Sequence, residues 1–348
     1  MCKISLVAPV YGVEKYIDQF LDSIRKQTFK DFEVILVDDG SKDNCPRILD
    51  EFINENVRYK VIHQENSGVS EARNTGLEHI SGEYVYIVDS DDWLEPTALE
   101  VLWKEAERSG ADIIYGDWVR ERNTGSERLY CFPAPFVTED SGTIQTLQFA
   151  VNNQNYRVKI ARPEFSEIRH LGGAPWRGMV KASLVAENNL RYDSYVKGLG
   201  DDILFSLHLY EYVKKVAYVQ SVIYHYRIID TSYSHGFKAN YLENVEKIFE
   251  KQETFLKENN KDQFAWSAYY NRVLIYLLSG MQRYFGNKEN PNSKDKSYKE
   301  FKALLKTEPY HAAIQNSELK YMGAKKMWVT TFLLKVGLYH LYWKFVCK

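Results

Sequence analysis

Asp89, Asp91 and Asp92 follow directly on an apolar run, Tyr84-Val85-Tyr86-Ile87-Val88. Valine, isoleucine and tyrosine in succession read as a buried strand, so the three carboxylates emerge together where that strand leaves the core. Clustered there they repel one another, and desolvation raises their pKa values unless a positive charge sits among them. A divalent cation with hard oxygen ligands, shared with a phosphate-bearing substrate, would satisfy them. A plainer role also suits these residues: aspartates at a strand end, capping a helix that Pro96 opens.

The elements needed to position such a cluster are legible upstream and downstream of it. Strands are expected at Ile4–Ala8, Phe32–Val37, Tyr59–His63, Tyr84–Val88 and Asp112–Tyr115, with helices at Val13–Thr28, Asp43–Asn56, Val69–Ile80 and Pro96–Ser109. Strand–helix alternation at this spacing implies an α/β fold with a largely parallel sheet and helices on both faces. Ligands of such sheets bind beyond the carboxyl ends of the strands, where Tyr11, Asp38, Asp39 and the Asp89–Asp92 cluster all fall. Farther on, a helix is expected at Asp202–Tyr212 and a strand at Lys215–Gln220. Beyond about residue 238 the pattern turns helical, with apolar residues at three- and four-residue intervals in 239–258, 262–285 and 297–306.

At 348 residues, one large domain and a smaller region are expected, divided as 1–235 and 236–348. A net charge of −2 gives no electrostatic footprint for nucleic acid. Cys2, Cys45, Cys131 and Cys347 form no paired motif, which points to a reducing compartment and neither a zinc site nor a disulfide framework. The first apolar run is strand-length and ends at Pro9, so a first strand is expected and no signal peptide. Met327–Val346 is mostly apolar and rich in aromatics, with Lys320, Lys325, Lys326, Lys335, Lys344 and Lys348 around it and no acidic residue after Glu318. Lys335 and His340 argue against a membrane span. A helix lying on an anionic membrane surface suits the lysines and aromatics, and a helix packed on the domain is the alternative.

Taken in order, Pro9-Val10-Tyr11, Gln27-Thr28-Phe29, Val37-Asp38-Asp39-Gly40-Ser41, Asn66-Ser67-Gly68 with Ala72-Arg73-Asn74-Thr75-Gly76, and Asp89-Ser90-Asp91-Asp92-Trp93 resemble the family 2 glycosyltransferases of GT-A fold, in particular bacterial enzymes of capsule, exopolysaccharide or O-antigen synthesis. The resemblance covers residues 1 to about 235. It implies that Asp89 and Asp91 are the acidic motif, with Asp91 ligating Mn²⁺ or Mg²⁺ and Asp89 reaching the metal or the donor's ribose. By the same resemblance Pro9 and Tyr11 line the donor site, Tyr11 stacking on uracil, while Asp39 and Arg73 hydrogen-bond the base. Gly200-Asp201-Asp202-Ile203-Leu204-Phe205 is similar to the family's Gly-Glu-Asp-x-x-Phe motif, departing from it by aspartate at 201. Asp202 then aligns with the catalytic base and Asp201 with an acceptor-side neighbour, although the pair would equally cap the following helix. Trp176 is a candidate for stacking on an acceptor sugar, Arg227 for the diphosphate, and His225 or His235 for the metal shell.

These resemblances imply an inverting, metal-dependent hexosyltransferase that draws on a UDP-sugar and extends a glycan, lipid-linked at the cytoplasmic face of the cell membrane. The alternatives are a sugar nucleotidyltransferase, which would carry a glycine- and basic-rich loop after the first strand where Pro9–Ile17 has only Gly12 and Lys15, and an inactive sugar- or partner-binding protein on the same scaffold.

Overall fold

The structure, a computed structural model, describes residues 2–151, 173–196, 200–228, 236–319 and 325–347. Its contacts separate two compact units, one reaching Ile228 and the other taking the residues beyond.

The first unit runs β1 (Ile4–Val10), α1 (Glu14–Arg25), β2 (Phe32–Asp38), α2 (Cys45–Ile53), β3 (Tyr59–His63), α3 (Val69–Glu78), β4 (Tyr84–Ile87), β5 (Trp93–Leu94), α4 (Ala98–Ser109), β6 (Ile113–Arg122), β7 (Gly125–Leu129), β8 (Phe136–Thr138), α5 (Ser141–Val151), β9 (Gly178–Lys181), α6 (Ala182–Glu187), α7 (Asp201–Leu209) and β10 (Val216–Arg227). Strands β1, β2 and β4 are buried along their whole length, as mainly apolar strands of a sheet covered on both faces are, and the buried Ser5 of β1 donates to Glu33 of β2 at 2.7 Å. The sheet order is β3-β2-β1-β4-β9-β6-β10-β5. The block β3-β2-β1-β4 is parallel, and so is the β6–β10 pair. Between them β9 runs antiparallel to both neighbours, so the sheet is mixed where alternation alone led us to expect a largely parallel one. Only four residues long, β9 is too short to register as a period. The strand expected at Lys215–Gln220 continues to Arg227, its pairing with β6 carried across register shifts between Tyr218 and Tyr224.

Two glycines fix where the functional residues stand. A Cβ on Gly76 would lie 2.3 Å from Val7 Cγ1, so only glycine lets α3 rest directly on β1. Gly200, at φ 88° and ψ 10°, takes the left-handed turn from which α7 starts.

The second unit is helical: α8 (Tyr241–Glu258), α9 (Gln263–Gly280) continuing into a π turn at Met281–Phe285, α10 (Lys294–Leu304), α11 (Tyr310–Asn316), α12 (Lys325–Lys335) and α13 (Tyr339–Val346). Asp262 caps α9, accepting the Ala265 N–H at 3.0 Å, and Ser293 caps α10, accepting that of Lys296 at 3.3 Å. Met327–Val346, expected as one helix, is two, broken around Gly337. Met327, Leu334, Tyr342 and Val346 face inward, and Tyr342 stacks on Phe301 at 5.5 Å. Trp343 also turns inward, against Phe285, Tyr298 and Phe301. Among the described residues no helix is long and apolar enough to cross a membrane.

Candidate active site

The carboxylate turn after β4 is built by its neighbours. Val88 N–H donates to the Val7 carbonyl at 2.9 Å, and Ser90 Oγ donates to the Pro9 carbonyl at 2.7 Å, so Pro9 serves this turn through its backbone. Asp92 is buried and held by β10: Tyr224 Oη lies 2.8 Å from its Oδ2, and the Arg227 N–H donates to Oδ1 at 2.7 Å. Burial, with the charges of Asp91 and Asp89 beside it, raises its pKa well above the usual carboxylate range. Tyr224 Oη also accepts the Asp89 N–H at 3.1 Å. Asp92 and Tyr224 therefore lock the loop, a role that the aspartate triplet by itself did not assign between its members.

Asp89 and Asp91 are left facing the carboxyl edge of the sheet, each partly exposed. Burial, then the neighbouring Asp89 charge, pushes the Asp91 carboxyl up to about 6. Two such carboxylates are the donor set Mg²⁺ or Mn²⁺ takes when substrate phosphates and water complete its shell. Among the described residues no three His, Cys, Asp or Glu side chains gather to hold a metal by themselves. Asp89 and Asp91 thus fit a cation shared with a phosphate-bearing ligand, and do not form an all-protein cage.

Arg73 joins this turn to the second acidic pair. From α3, seated by Gly76, its Nη2 donates to Asp89 Oδ1 and its Nη1 to Asp201 Oδ2, both at 3.0 Å. Ser70 Oγ, one turn earlier, donates to the same Asp201 oxygen at 3.0 Å. The guanidinium is buried and lies 5.2 Å from the Tyr192 ring centroid. Burial opposes its charge, but Asp89 and Asp201 outweigh that and hold its pKa above the ordinary arginine value. Asn74, next to Arg73 in the middle of α3, ties the helix to Tyr192, donating to its carbonyl at 2.9 Å and accepting its N–H at 2.8 Å. Asp202 is partly exposed at the start of α7, where the helix dipole favours a negative charge. Its Oδ1 accepts the Ile203 N–H at 2.8 Å. Residues 128 positions apart in the chain are thereby brought to one edge.

A second group lies past β1 and β2. Asp39 is buried and accepts Gln64 Nε2 at 2.7 Å and the N–H groups of Ser67 and Gly68 at 2.8 Å each. It anchors the 64–68 loop and keeps lone-pair capacity for one more donor. Asp38 is also structural, accepting the Ser41 N–H at 3.0 Å and pairing with His63 at 2.7 Å. Tyr11 stands free, with 55% of its surface exposed.

Several expected residues lie elsewhere or are already engaged. Trp176 offers no sugar platform: it is buried, stacked on Tyr224 at 4.6 Å and Tyr226 at 5.4 Å and edge-on to Trp118, so its ring is covered. His225 bridges Glu121 (2.8 Å) and Glu95 (2.9 Å) and stacks on Trp93, which consumes both ring nitrogens and removes it from the metal shell. Arg227 spends Nε on the Asp91 carbonyl (2.8 Å) and Nη2 on Gln19 (2.7 Å), with its guanidinium over Tyr16 and Trp93. It props the acidic turn from behind. His235 lies outside the described residues. Asp201, expected beside the acceptor, is buried under Arg73 and Ser70 and acts through them.

Comparison with known proteins bears on this constellation. A family model described as Glycosyl transferase family 2 matches residues 5–157. The putative glycosyltransferase EpsH of Bacillus subtilis is 31% identical over 262 residues, which is 74% of this chain and 70% of EpsH. The structure of S. aureus TarS 1-349 in complex with UDP-GlcNAc superposes with a TM-score of 0.65 at 18% identity, covering 98% of this chain and 89% of that one. The mannosyltransferase PcManGT of Pyrobaculum calidifontis, in complex with GDP-Man and Mn²⁺, gives a TM-score of 0.51 at 14% identity, over 96% and 86% of the two chains.

Proposed function

This chain belongs to the family 2 glycosyltransferases, and on that premise we propose that it moves a hexose or N-acetylhexosamine from a UDP-sugar to a growing glycan, with inversion at the anomeric carbon and with Mn²⁺ or Mg²⁺ as cofactor. The observation that carries this reading is the Arg73 bridge, which sets the Asp89–Asp91 turn and the Asp201–Asp202 pair side by side. Family membership sets aside the nucleotidyltransferase alternative.

In this reading the exposed Tyr11 ring takes the uracil face, and the remaining lone pair of Asp39 takes a base N–H. Arg73, with both terminal nitrogens engaged, orients Asp89 and Asp201 in preference to meeting the base. Asp91 would hold the cation that the donor diphosphate shares, and Asp89 would reach the ribose or the same cation. A bound divalent cation supplies charge neutralisation of the UDP leaving group. Asp202 takes the proton of the acceptor hydroxyl as that oxygen attacks the anomeric carbon and the bond to the diphosphate oxygen breaks, its electron pair leaving with UDP. Incubation with a panel of UDP-sugars tests this. One or a few should release UDP only when Mn²⁺ or Mg²⁺ is present, and faster with acceptor. Equal release with chelator, or release from no UDP-sugar, would overturn it.

The acceptor we propose is lipid-linked, met at the inner surface of the cytoplasmic membrane. Trp328 and Phe332 on α12, Val336 and Leu338 in the break after it, and Leu341 and Phe345 on α13 are each 40–50% exposed, with Lys325, Lys326 and Lys344 also exposed. Lys335 instead donates to the Gln315 carbonyl at 2.9 Å. Aromatic and aliphatic side chains edged by lysine suit an anionic lipid surface. Each large side chain contributes at most about 1.5–3 kcal/mol when fully buried. The double variant Trp328→Glu/Phe332→Glu should therefore lose vesicle binding by more than about tenfold while keeping its melting temperature, because the inward faces are untouched. Unchanged co-sedimentation with vesicles containing phosphatidylglycerol would refute the assignment.

A further inference from the structure

We propose that Arg177 is an anion site beside Asp202 that receives a carboxylate or phosphate carried by the acceptor; this rests on reading Asp202 as the acceptor-side base. Arg177 ends the short 3-10 turn Pro175–Arg177 and leads straight into β9, whose start pairs with Tyr115 of β6. Because β9 runs antiparallel between β4 and β6, its first residues lie toward the carboxyl end of β4, the strand that leads into Asp89 and Asp91, and opposite Tyr115 near the start of β6. The guanidinium carbon sits 4.8 Å from the Trp118 ring centroid and 4.7 Å from that of Trp176, which explains why Trp176 is covered and what it covers.

Arg177 is 6% exposed, and its buried Nε and Nη1 have no hydrogen-bond partner among the described residues. Arg73, equally buried, has a carboxylate on each terminal nitrogen. A guanidinium without one keeps its fork of donors unmade, and contact with two indole faces balances only part of the lost hydration. Asp202 is one of the charges that bear on the guanidinium, and the segment leading to Arg177 lies against the start of α7, where a Cβ on Gly173 would sit 3.2 Å from Ile203 Cα and Ser206 Oγ donates to the Gly173 carbonyl at 3.4 Å. That contact sets Arg177 near Asp202 at the start of α7, the acceptor side of the proposed reading. Nη2 projects parallel to Nε on one side and to Nη1 on the other, so a carboxylate or phosphate taken there together with either atom makes two parallel hydrogen bonds. An acidic sugar or a phosphate ester at or next to the accepting residue would supply either group, whereas a neutral sugar would leave the fork unmade. Arg177 would then determine acceptor specificity through charge.

The full chain, without donor or metal and at constant ionic strength, can be titrated with glucuronate, with glycerol phosphate and with glucose while tryptophan emission is followed, since Trp118 and Trp176 flank the guanidinium. One of the two anions should give a saturable change and glucose none, and the responding anion identifies the acidic group. Arg177→Gln should weaken that response at least tenfold. Arg177→Met, which keeps packing against the indoles without charge, should behave the same and serves if the glutamine variant does not fold. No saturable response to either anion in the unaltered chain, or an equal response in both variants, would overturn the assignment. UDP-sugar binding is measured separately with divalent cation, so loss of the anion site and failure of the glycosyltransferase reading are distinguishable.

Discussion

Asp202→Asn should leave UDP-sugar binding in place and lower kcat by about 10²-fold or more, the range a positioned general base contributes. The substitution keeps the size of the side chain and an oxygen able to accept the Ile203 N–H, now bonded at 2.8 Å, so the start of α7 has no reason to move. A hundredfold loss corresponds to about 2.7 kcal/mol of transition-state stabilisation. Asp201 is the neighbour to which a base role would otherwise fall, yet it is buried beneath Arg73 and Ser70. Asp201→Asn should therefore disturb the Arg73 bridge and with it stability. Near-normal turnover in Asp202→Asn, measured at saturating donor with melting curves alongside, would move the base away from this residue.

Asp91→Ala should abolish divalent-dependent binding of UDP and UDP-sugars, seen by calorimetry with and without Mn²⁺. Asp89 keeps its ion pair to Arg73 at 3.0 Å, but one carboxylate already bound to a guanidinium is a poor anchor for a hard cation. The fold should survive. With the Asp91 carboxyl pushed up to about 6 by burial and by Asp89, its ionised form is disfavoured in the folded chain relative to the unfolded one. Removing that charge should leave the melting temperature at neutral pH unchanged or higher. An unaltered Mn²⁺-dependent affinity for UDP would show that the cation, if used, is held elsewhere.

How far the residues alone reached can be judged element by element. Strands β1 to β4 and helices α1 to α4 announce themselves through apolar runs and three-to-four spacing, and the acidic turns at Asp38–Asp39 and Asp89–Asp92 were legible because each follows such a run. The Arg73 bridge was not legible. It joins α3 to α7 across 128 positions, and no local period reports which carboxylates a buried guanidinium will meet. Trp176 and His225 show the same gap from the other side. Their residue types permit stacking or ligation, but only the fold shows that Tyr224 and Tyr226 already cover the indole and that Glu95 and Glu121 already hold the imidazole. Arg177 is not marked by the sequence for a like reason, since what distinguishes it is the absence, among the described residues, of a partner for its buried Nε and Nη1. At the C-terminal end, composition marked the apolar segment, whereas its division into inward and outward faces depends on the break around Gly337.

The most direct test of the account is the anomeric configuration of the product, followed by NMR during turnover with whichever UDP-sugar releases UDP. A single displacement, with Asp202 as base and UDP leaving from the opposite face, predicts that an α-linked donor gives a β-linked product from the first turnover onward. An α-linked product would contradict the proposed role of Asp202 and the one-step transfer built on it.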